Sequence, residues 1–164
     1  MIEEFKTNLA ATLTANTGVG EHLEGVTVYV GDVIPAAKDH PAITVDWEDN
    51  LDANRQKSAN GRVRLELDFR VCLYVSSYKG VKAAHAAMNN LILRAGETSY
   101  LGLHPLLSGL ANTSTFTDSL GNVWAITLLP DSERGVVKSE NAQFASVACA
   151  FKVQIWTVVT AAQY

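Results

Sequence analysis

Four closely spaced carboxylates are the residues with the clearest chemical potential: Asp46, Glu48, Asp49 and Asp52. Two carboxylates can act as general acid and general base when a pocket keeps one of them protonated. These four border a polar segment, which favours solvated charges over a catalytic pair. A small enzyme that uses acids near Asp46 and Glu48 stays an alternative, and a buried carboxylate pair would support it.

The histidines and cysteines predict neither a metal site nor a nucleophile. No two of the histidines have the spacing of metal ligands on one helix, and the motif H-E-x-x-H does not occur. Cys72 and Cys149 are far apart in strand-like sequence, so we expect packed, reduced thiols. A nucleophile elbow and a phosphate-binding glycine loop are also missing from the sequence. The histidines in question are His22, His40, His85 and His104. We therefore expect no catalytic residue, no metal and no cofactor.

Composition limits the possible partners. The 164 residues suffice for one domain, 1–164, with a substantial core, and no shift in composition divides them. A net charge of −4 argues against general nucleic-acid binding, which depends on clustered Lys and Arg. No apolar run is long enough to span a membrane, and M-I-E-E-F-K is acidic where a signal peptide is basic. We expect a protein that starts in a cytosol and has no membrane partner.

The longest regular pattern runs from Arg62 to Val75. Every odd position from Val63 to Val75 is apolar, and this period of two predicts a half-buried strand. Its 14 residues span roughly 46 Å. A compact chain of this size is only about 40 Å across. The strand must therefore coil, contain a bulge or project towards another subunit.

Weaker patterns predict the other elements. Helices are expected at about 2–15 and 79–96, and further strands at 26–30, 42–48, 114–118, 122–129 and from about 144 onward. Polar loops are expected at 49–61 and 130–141, and irregular structure or a short helical turn at 98–110, which Gly102, Pro105 and Gly109 interrupt. These elements predict an α+β fold with a mainly antiparallel sheet, two long strands, and two helices packed on one face.

In this order, the segments resemble the tail terminator proteins of long-tailed bacteriophages, also called minor tail or tail completion proteins. The resemblance spans nearly the whole chain. It is carried by I-E-E-F-K-T-N-L, H-P-A-I-T-V-D-W, R-V-R-L-E-L-D-F-R-V-C-L-Y-V, the alanine-rich helix and F-K-V-Q-I-W.

This resemblance implies an α+β subunit that forms a homohexameric ring at the head-proximal end of the tail tube. The ring would stop tube polymerisation and provide the surface that joins the head. The implied partners are the tail tube protein and a head–tail connector or neck protein, while DNA passes through the lumen without sequence-specific binding. The implied location is the virion, after assembly in the host cytoplasm. The family has no catalytic residues to transfer to this chain.

Two sets of residues are predicted to contact other subunits or partners. Charges of both signs alternate along one face of the long strand, where either solvent or a polar subunit contact would explain them: Arg62, Arg64, Glu66, Asp68 and Arg70. The polar loops supply the second set, since loops on a rigid sheet often carry recognition: Asn50, Leu51, Asp52, Arg55, Asp131, Glu133, Arg134 and Lys138. Two further alternatives stay open, another neck component (a head completion or tail-to-head joining protein) and a monomeric domain with an apolar ligand pocket.

Overall fold

Three helices and nine strands form the part of the chain that the computed structural model describes. This part comprises residues 1–31, 33–48, 60–137 and 145–164, with only the backbone of residues 56–57 and 131. The helices are α1 Ile2–Thr14, α2 Val81–Ile92 and α3 Leu103–Thr113. The strands are β1 Thr27–Val30, β2 Ala42–Trp47, β3 Gln56–Lys57, β4 Arg62–Ser76, β5 Arg94–Ala95, β6 Tyr100–Leu101, β7 Thr115–Thr117, β8 Val123–Val137 and β9 Ser146–Thr160.

One large sheet organises the molecule, in the order β1-β2-β4-β9-β8-β7, with β3 also paired to β4. β1 and β2 are parallel, and the other pairs in this sheet are antiparallel. β5 and β6 form a separate two-stranded sheet. The β4–β9 ladder is unbroken from Arg62 opposite Thr160 to Ser76 opposite Ser146, so it is the rigid centre of the large sheet.

The sheet curls into a half-barrel around α1. At one end of the sheet α1 contacts β1 and β2. At the other end the Phe5 ring stacks on Phe116 of β7 at 5.6 Å between centroids and meets Trp124 of β8 edge-on at 5.2 Å. Phe5, Leu9 and Leu13 are completely buried. The helix therefore occupies the concave side, and its apolar stripe joins the two ends of the sheet.

The predicted strand register of β4 is confirmed. Odd-numbered residues of β4 from Leu67 to Val75 join the core cluster together with odd-numbered residues of β9 and apolar residues from all three helices. β4 is paired to β9 along its whole length. The curl of the sheet, rather than projection from the subunit, thus accommodates the length of this strand.

The predicted fold class is wrong. The structure has three helices instead of two, and β4, β8 and β9 are each 15 residues long, so the long strands also number three among the described residues. The sheet is a curled half-barrel of six to seven strands and not a layer with helices stacked on a pair of long strands. Its β1–β2 edge is parallel, which the prediction also lacked.

Two local errors explain the difference. Segment 98–110 was predicted to be irregular or a short helical turn, but α3 begins there at Leu103 and runs for 11 residues. Pro105 is its third residue, and the N–H groups of the first turn have no partner within the helix, so proline is tolerated there. Residues 130–137 were predicted to form a loop but continue β8 past a register shift between Leu128 and Ser132. Polar residues on an exposed strand resemble loop sequence, so the pattern gave the wrong element.

Candidate subunit interface

The side of the sheet opposite the core cluster carries most of the charged strand residues. Even-numbered residues of β4 and β9 share this side because they pair directly, as Asp68 does with Gln154 and Arg70 with Lys152. Glu133 of β8 pairs with Ala150 and therefore lies on the same side. We call this surface the polar face. It extends across β4, β9 and β8.

A hydrogen-bonded network fills the centre of the polar face. Gln154 Nε2 donates to Asp68 Oδ1 at 3.1 Å and to Glu66 Oε2 at 3.5 Å. Arg64 Nε lies 2.5 Å from Glu66 Oε1, but its N–H has no aligned acceptor, so this contact is an ion pair rather than a hydrogen bond. The Arg64 guanidinium also lies 4.2 Å above the ring of Trp156.

This network corrects one expectation from the sequence. Glu66 and Asp68 are only 8% and 7% exposed, so neither is a solvated charge on an open strand face. Burying a carboxylate is strongly unfavourable unless it is paired and hydrogen-bonded. Arg64 and Gln154 supply these contacts from within the subunit, so the central charges stabilise the β4–β9 pair and are unsuited to direct contact with a partner.

The outer part of the polar face is accessible. Arg70 Nη2 donates to Glu133 Oε2 at 3.1 Å, and both side chains are exposed. This pair joins β4 to β8 across β9. Exposed ion pairs contribute only about 0–1 kcal/mol to folding. Because the fold depends little on them, Arg70 and Glu133 are the predicted interface residues best placed to contact another molecule.

The remaining predicted residues fall into four groups. Arg62 is exposed at the start of β4, opposite Thr160. Arg134 lies on the core side of the sheet, where its Nη1 donates to Asn89 Oδ1 of α2 at 2.7 Å, so it is not part of the polar face. Asp131 is described only by its backbone, within β8. The others lie outside the described residues: Asn50, Leu51, Asp52, Arg55 and Lys138.

The carboxylates considered for catalysis are engaged in ion pairs. Asp46 Oδ1 lies 3.4 Å from Lys6 Nζ, and Glu48 Oε2 lies 3.3 Å from Lys152 Nζ. Asp49 lies outside the described residues, as does Asp52. Lys6 also pairs with Glu3 at 2.9 Å. Asp46 and Glu48 thus each contact a lysine, an arrangement typical of structural charge pairs and not of the buried carboxylate pair that the enzyme alternative requires.

Sequence reasoning did not assign Trp156, Thr127 or Lys152 to the interface. Trp156 Nε1 donates to Thr127 Oγ1 at 3.0 Å, which ties β9 to β8 on the polar face. The even-numbered residues of β9 share a face with the charges of β4 because the two strands pair directly. No pattern within a single strand shows which residue lies opposite.

Two of the surface cavities that described residues line border the sheet. One of about 590 Å³ lies between α3 and the irregular part of β8, and its lining includes His104, Asn112, Leu128 and Phe151. The other, of about 380 Å³, lies on the polar face between Ile34 and Arg70 and includes Cys72 and Glu133 in its wall. Both mix polar and apolar side chains, so neither is the apolar pocket that the ligand-binding alternative requires.

His40 fixes the segment between β1 and β2 to the end of the sheet. One ring nitrogen lies 3.0 Å from the Pro35 carbonyl oxygen and the other 3.2 Å from Ser146 Oγ. Burial lowers the pKa of His40 below its usual 6.5, although the Pro35 carbonyl and Asp39 partly oppose this shift. The neutral ring is therefore favoured in the folded protein.

We expect this histidine to make the protein less stable in mild acid. A lowered folded-state pKa means that below pH 6.5 the unfolded chain binds a proton more readily than the folded chain. The contribution of His40 is thus complete above pH 6.5 and is lost as the pH falls towards the lowered value. Thermal melts across this range should show a steeper decline for the native chain than for His40→Gln. Parallel declines would contradict the assignment.

Among the residues that the structure describes, no group of three or more His, Cys, Asp and Glu side chains is placed to hold a metal ion. No helix in the described part of the chain is both long and apolar enough to cross a membrane. Compared with known proteins, the chain matches no family model and no curated protein.

Proposed function

We propose that this chain is a structural protein that forms a homohexameric ring at the head-proximal end of a phage tail and stops tube polymerisation. The observation that supports this proposal most is the polar face, a surface across three long strands with accessible charges of both signs at Arg70 and Glu133. Charges of both signs determine which partner binds and in which register, more than they increase the affinity of binding. The sequence resemblance supplies the specific role.

The proposed mechanism is geometric. A ring built from head-to-tail contacts has two different faces, so one face can match the last ring of the tube while the other cannot accept another tube subunit. Its second face then binds a connector or neck protein. The net charge of −4 suits a lumen through which DNA passes, because a wall without clustered cations does not retain phosphates.

A related role is the second candidate. A head completion or tail-to-head joining protein would also be a small α+β subunit in a ring, and the accessible pair Arg70–Glu133 would serve it equally well. Mixing the protein with isolated tail tubes distinguishes the two roles. A terminator caps tubes and limits their length, whereas a joining protein leaves the growth of tubes unchanged.

Native mass spectrometry tests the ring itself. A hexamer has six times the 17.7 kDa mass of the chain, about 106 kDa. We expect this species alone or after addition of tail tubes, and ring-shaped particles by electron microscopy. Finding only the monomer under both conditions would contradict the proposal.

Exchanging the charges of Arg70 and Glu133 tests whether the polar face is read by another molecule. The exposed pair contributes little to folding. Arg70→Glu, Glu133→Arg and the double exchange should therefore melt within a few degrees of the native chain. We expect the affinity between assembling molecules to fall at least about tenfold in every variant, which corresponds to about 1.4 kcal/mol. The reason is that a partner with fixed charges would meet inverted ones.

The double exchange is the decisive variant. It restores the ion pair within the subunit but leaves both charges reversed towards a partner. If it assembles as well as the native chain while each single variant does not, the pair acts only within the subunit. The matched control is Lys79→Glu, an exposed charge on the turn before α2 and away from the polar face, which should assemble normally.

A further inference from the structure

Both ends of the large sheet carry an outer strand edge with no partner among the described residues. At one end, β1 pairs only with β2. At the other, β7 pairs with β8 only over Val123–Ala125, so Ser132–Val137 has a partner on its β9 side alone. Unpaired strand edges present rows of free N–H and C=O groups, which makes them templates for another strand.

Hydrogen bonds to β2 show which groups of β1 face outward. The N–H groups of Thr27 and Gly31 donate to carbonyl oxygens at 3.2 and 2.9 Å, on the β2 side. Alternate residues of a strand direct their N–H and C=O to opposite sides. Val28 and Val30 therefore direct theirs to the outer edge.

The same alternation orients the β8 edge. Ser77 donates to the Ala145 carbonyl at 3.0 Å, immediately beyond the last β4–β9 pair, so odd-numbered residues of β9 bond to β4 and even-numbered ones bond to β8. Gly135 is opposite Ala148 and therefore bonds to β9. Its neighbours Arg134 and Val136 direct their N–H and C=O groups outward.

We propose that the outer edge of Ser132–Val137 pairs with the outer edge of β1 in the next copy of this chain, so that the sheet continues from one subunit to the next. The inference rests on the proposed ring, since a contact between two different edges of one chain is the kind that closes rings. Val30 and Val136 are 49% and 57% exposed, so pairing would also cover apolar side chains on both edges.

Charge and composition favour this pairing over a contact of like edges. β1 reads T-V-Y-V and has no charge, proline or bulge to protect its edge, whereas protected edges usually carry one of these. In the proposed pairing, Glu133 and Arg134 would therefore face no side chain of the same charge on β1. Two copies of the β8 edge paired around either residue would instead place like charges opposite each other, which is destabilising.

Proline substitution tests the pairing directly. Val136→Pro and Val30→Pro each remove one outward N–H and leave the hydrogen bonds within the subunit intact, since proline is tolerated on a free edge. We expect both variants to melt within a few degrees of the native chain. The protein concentration needed for ring formation should rise at least about tenfold. Val136→Ala and Val30→Ala keep the N–H and are the matched controls. The protein concentration at which they form rings should stay within about threefold of that of the native chain.

Cross-linking gives a second measurement that does not depend on tolerance of proline. The variant Val30→Cys/Val136→Cys, with Cys72→Ser to remove the partly exposed thiol, is treated with a short bis-maleimide. Cys149 is buried and should not react. Head-to-tail pairing predicts a ladder of covalent species up to six chains from the double-cysteine protein. Each single-cysteine protein should stay uncoupled.

The possible outcomes separate this inference from the proposed function. Rings by microscopy with no ladder, and with both proline variants assembling normally, would overturn the edge pairing and leave the ring intact. A ladder from open chains without rings would support the pairing and contradict the proposed function. Dimers from Val136→Cys alone would show pairing of like edges and would overturn the inference.

Discussion

Leu67→Asp is expected to abolish cooperative folding. Leu67 lies at the centre of β4, opposite Ile155 of β9, and only 3% of it is exposed. Burying an unpaired carboxylate there should destabilise the folded state by more than about 4 kcal/mol, through the lost apolar contacts and the desolvated charge. Domains of this kind have only about 5–15 kcal/mol of stability in total. The measurement is a thermal or urea melt followed by circular dichroism.

Val158→Asp is the matched control for this substitution. Val158 is also in the β4–β9 ladder, opposite Arg64, but it is on the polar face and 45% exposed. A carboxylate here stays solvated beside a guanidinium, so the melting temperature should change by only a few degrees. A soluble Leu67→Asp protein that melts cooperatively, or equal damage from both variants, would contradict the assignment of the two faces.

Asp118→Ala should cause the second largest loss of stability. The buried Asp118 side chain closes the β7–β8 turn, where Oδ1 accepts hydrogen bonds from the backbone N–H groups of Leu120 and Asn122, both at 2.9 Å. Oδ2 accepts from Trp124 Nε1 at 2.9 Å. Alanine would leave the buried indole N–H without this acceptor, and each such group costs about 1–3 kcal/mol.

We expect Asp118→Ala to lower the free energy of unfolding by about 2–4 kcal/mol. For a chain of this length the melting temperature should fall by roughly 5–15 °C. The neighbouring Ser119→Ala replaces an exposed side chain in the same turn and should change the melting temperature by no more than about 2 °C. A drop of similar size in both variants would mean that the turn itself, and not the carboxylate, carries the effect.

The pH dependence of Asp118 provides an independent check. Burial alone would raise the pKa of Asp118, but the hydrogen bonds from Trp124, Asn122 and Leu120 outweigh it and lower the pKa below 3.8. The stabilisation is therefore present above pH 3.8 and is lost as the pH falls through the lowered value. The gap in stability between the native chain and Asp118→Ala should narrow in strong acid, and a constant gap would contradict this assignment.

Periodicity within a segment predicted the local structure well. The alternation in β4 gave both the strand and its buried face, because a shift of one residue would bury its charges. The first two helices and the β7–β8 hairpin were also predicted, since each has a clear apolar pattern and a glycine near its end. α3 was expected as no more than a short helical turn, and the second half of β8 was missed, because Pro105 and the exposed Ser132–Val137 segment resemble breaks in structure.

The candidate site was less predictable because it depends on which strands are neighbours. Glu66 and Asp68 appeared in the sequence as alternating charges like Arg70. Only the pairing with β9 places Gln154 against both carboxylates and separates the buried centre of the polar face from its accessible part. Likewise, the Val136 N–H points outward because of the hydrogen-bond alternation of three strands. The residue type, valine, does not reveal this direction.

The position of α1 inside the curled sheet has a consequence for how the chain acquires its structure. α1 precedes every strand in the sequence, yet Phe5 is covered by Trp124, more than a hundred residues later. During synthesis its apolar side must stay without its final contacts until β7 and β8 have left the ribosome. We expect fragments that end before β7 to bind chaperones or aggregate, and the native state to form only after β7 and β8 have been synthesised.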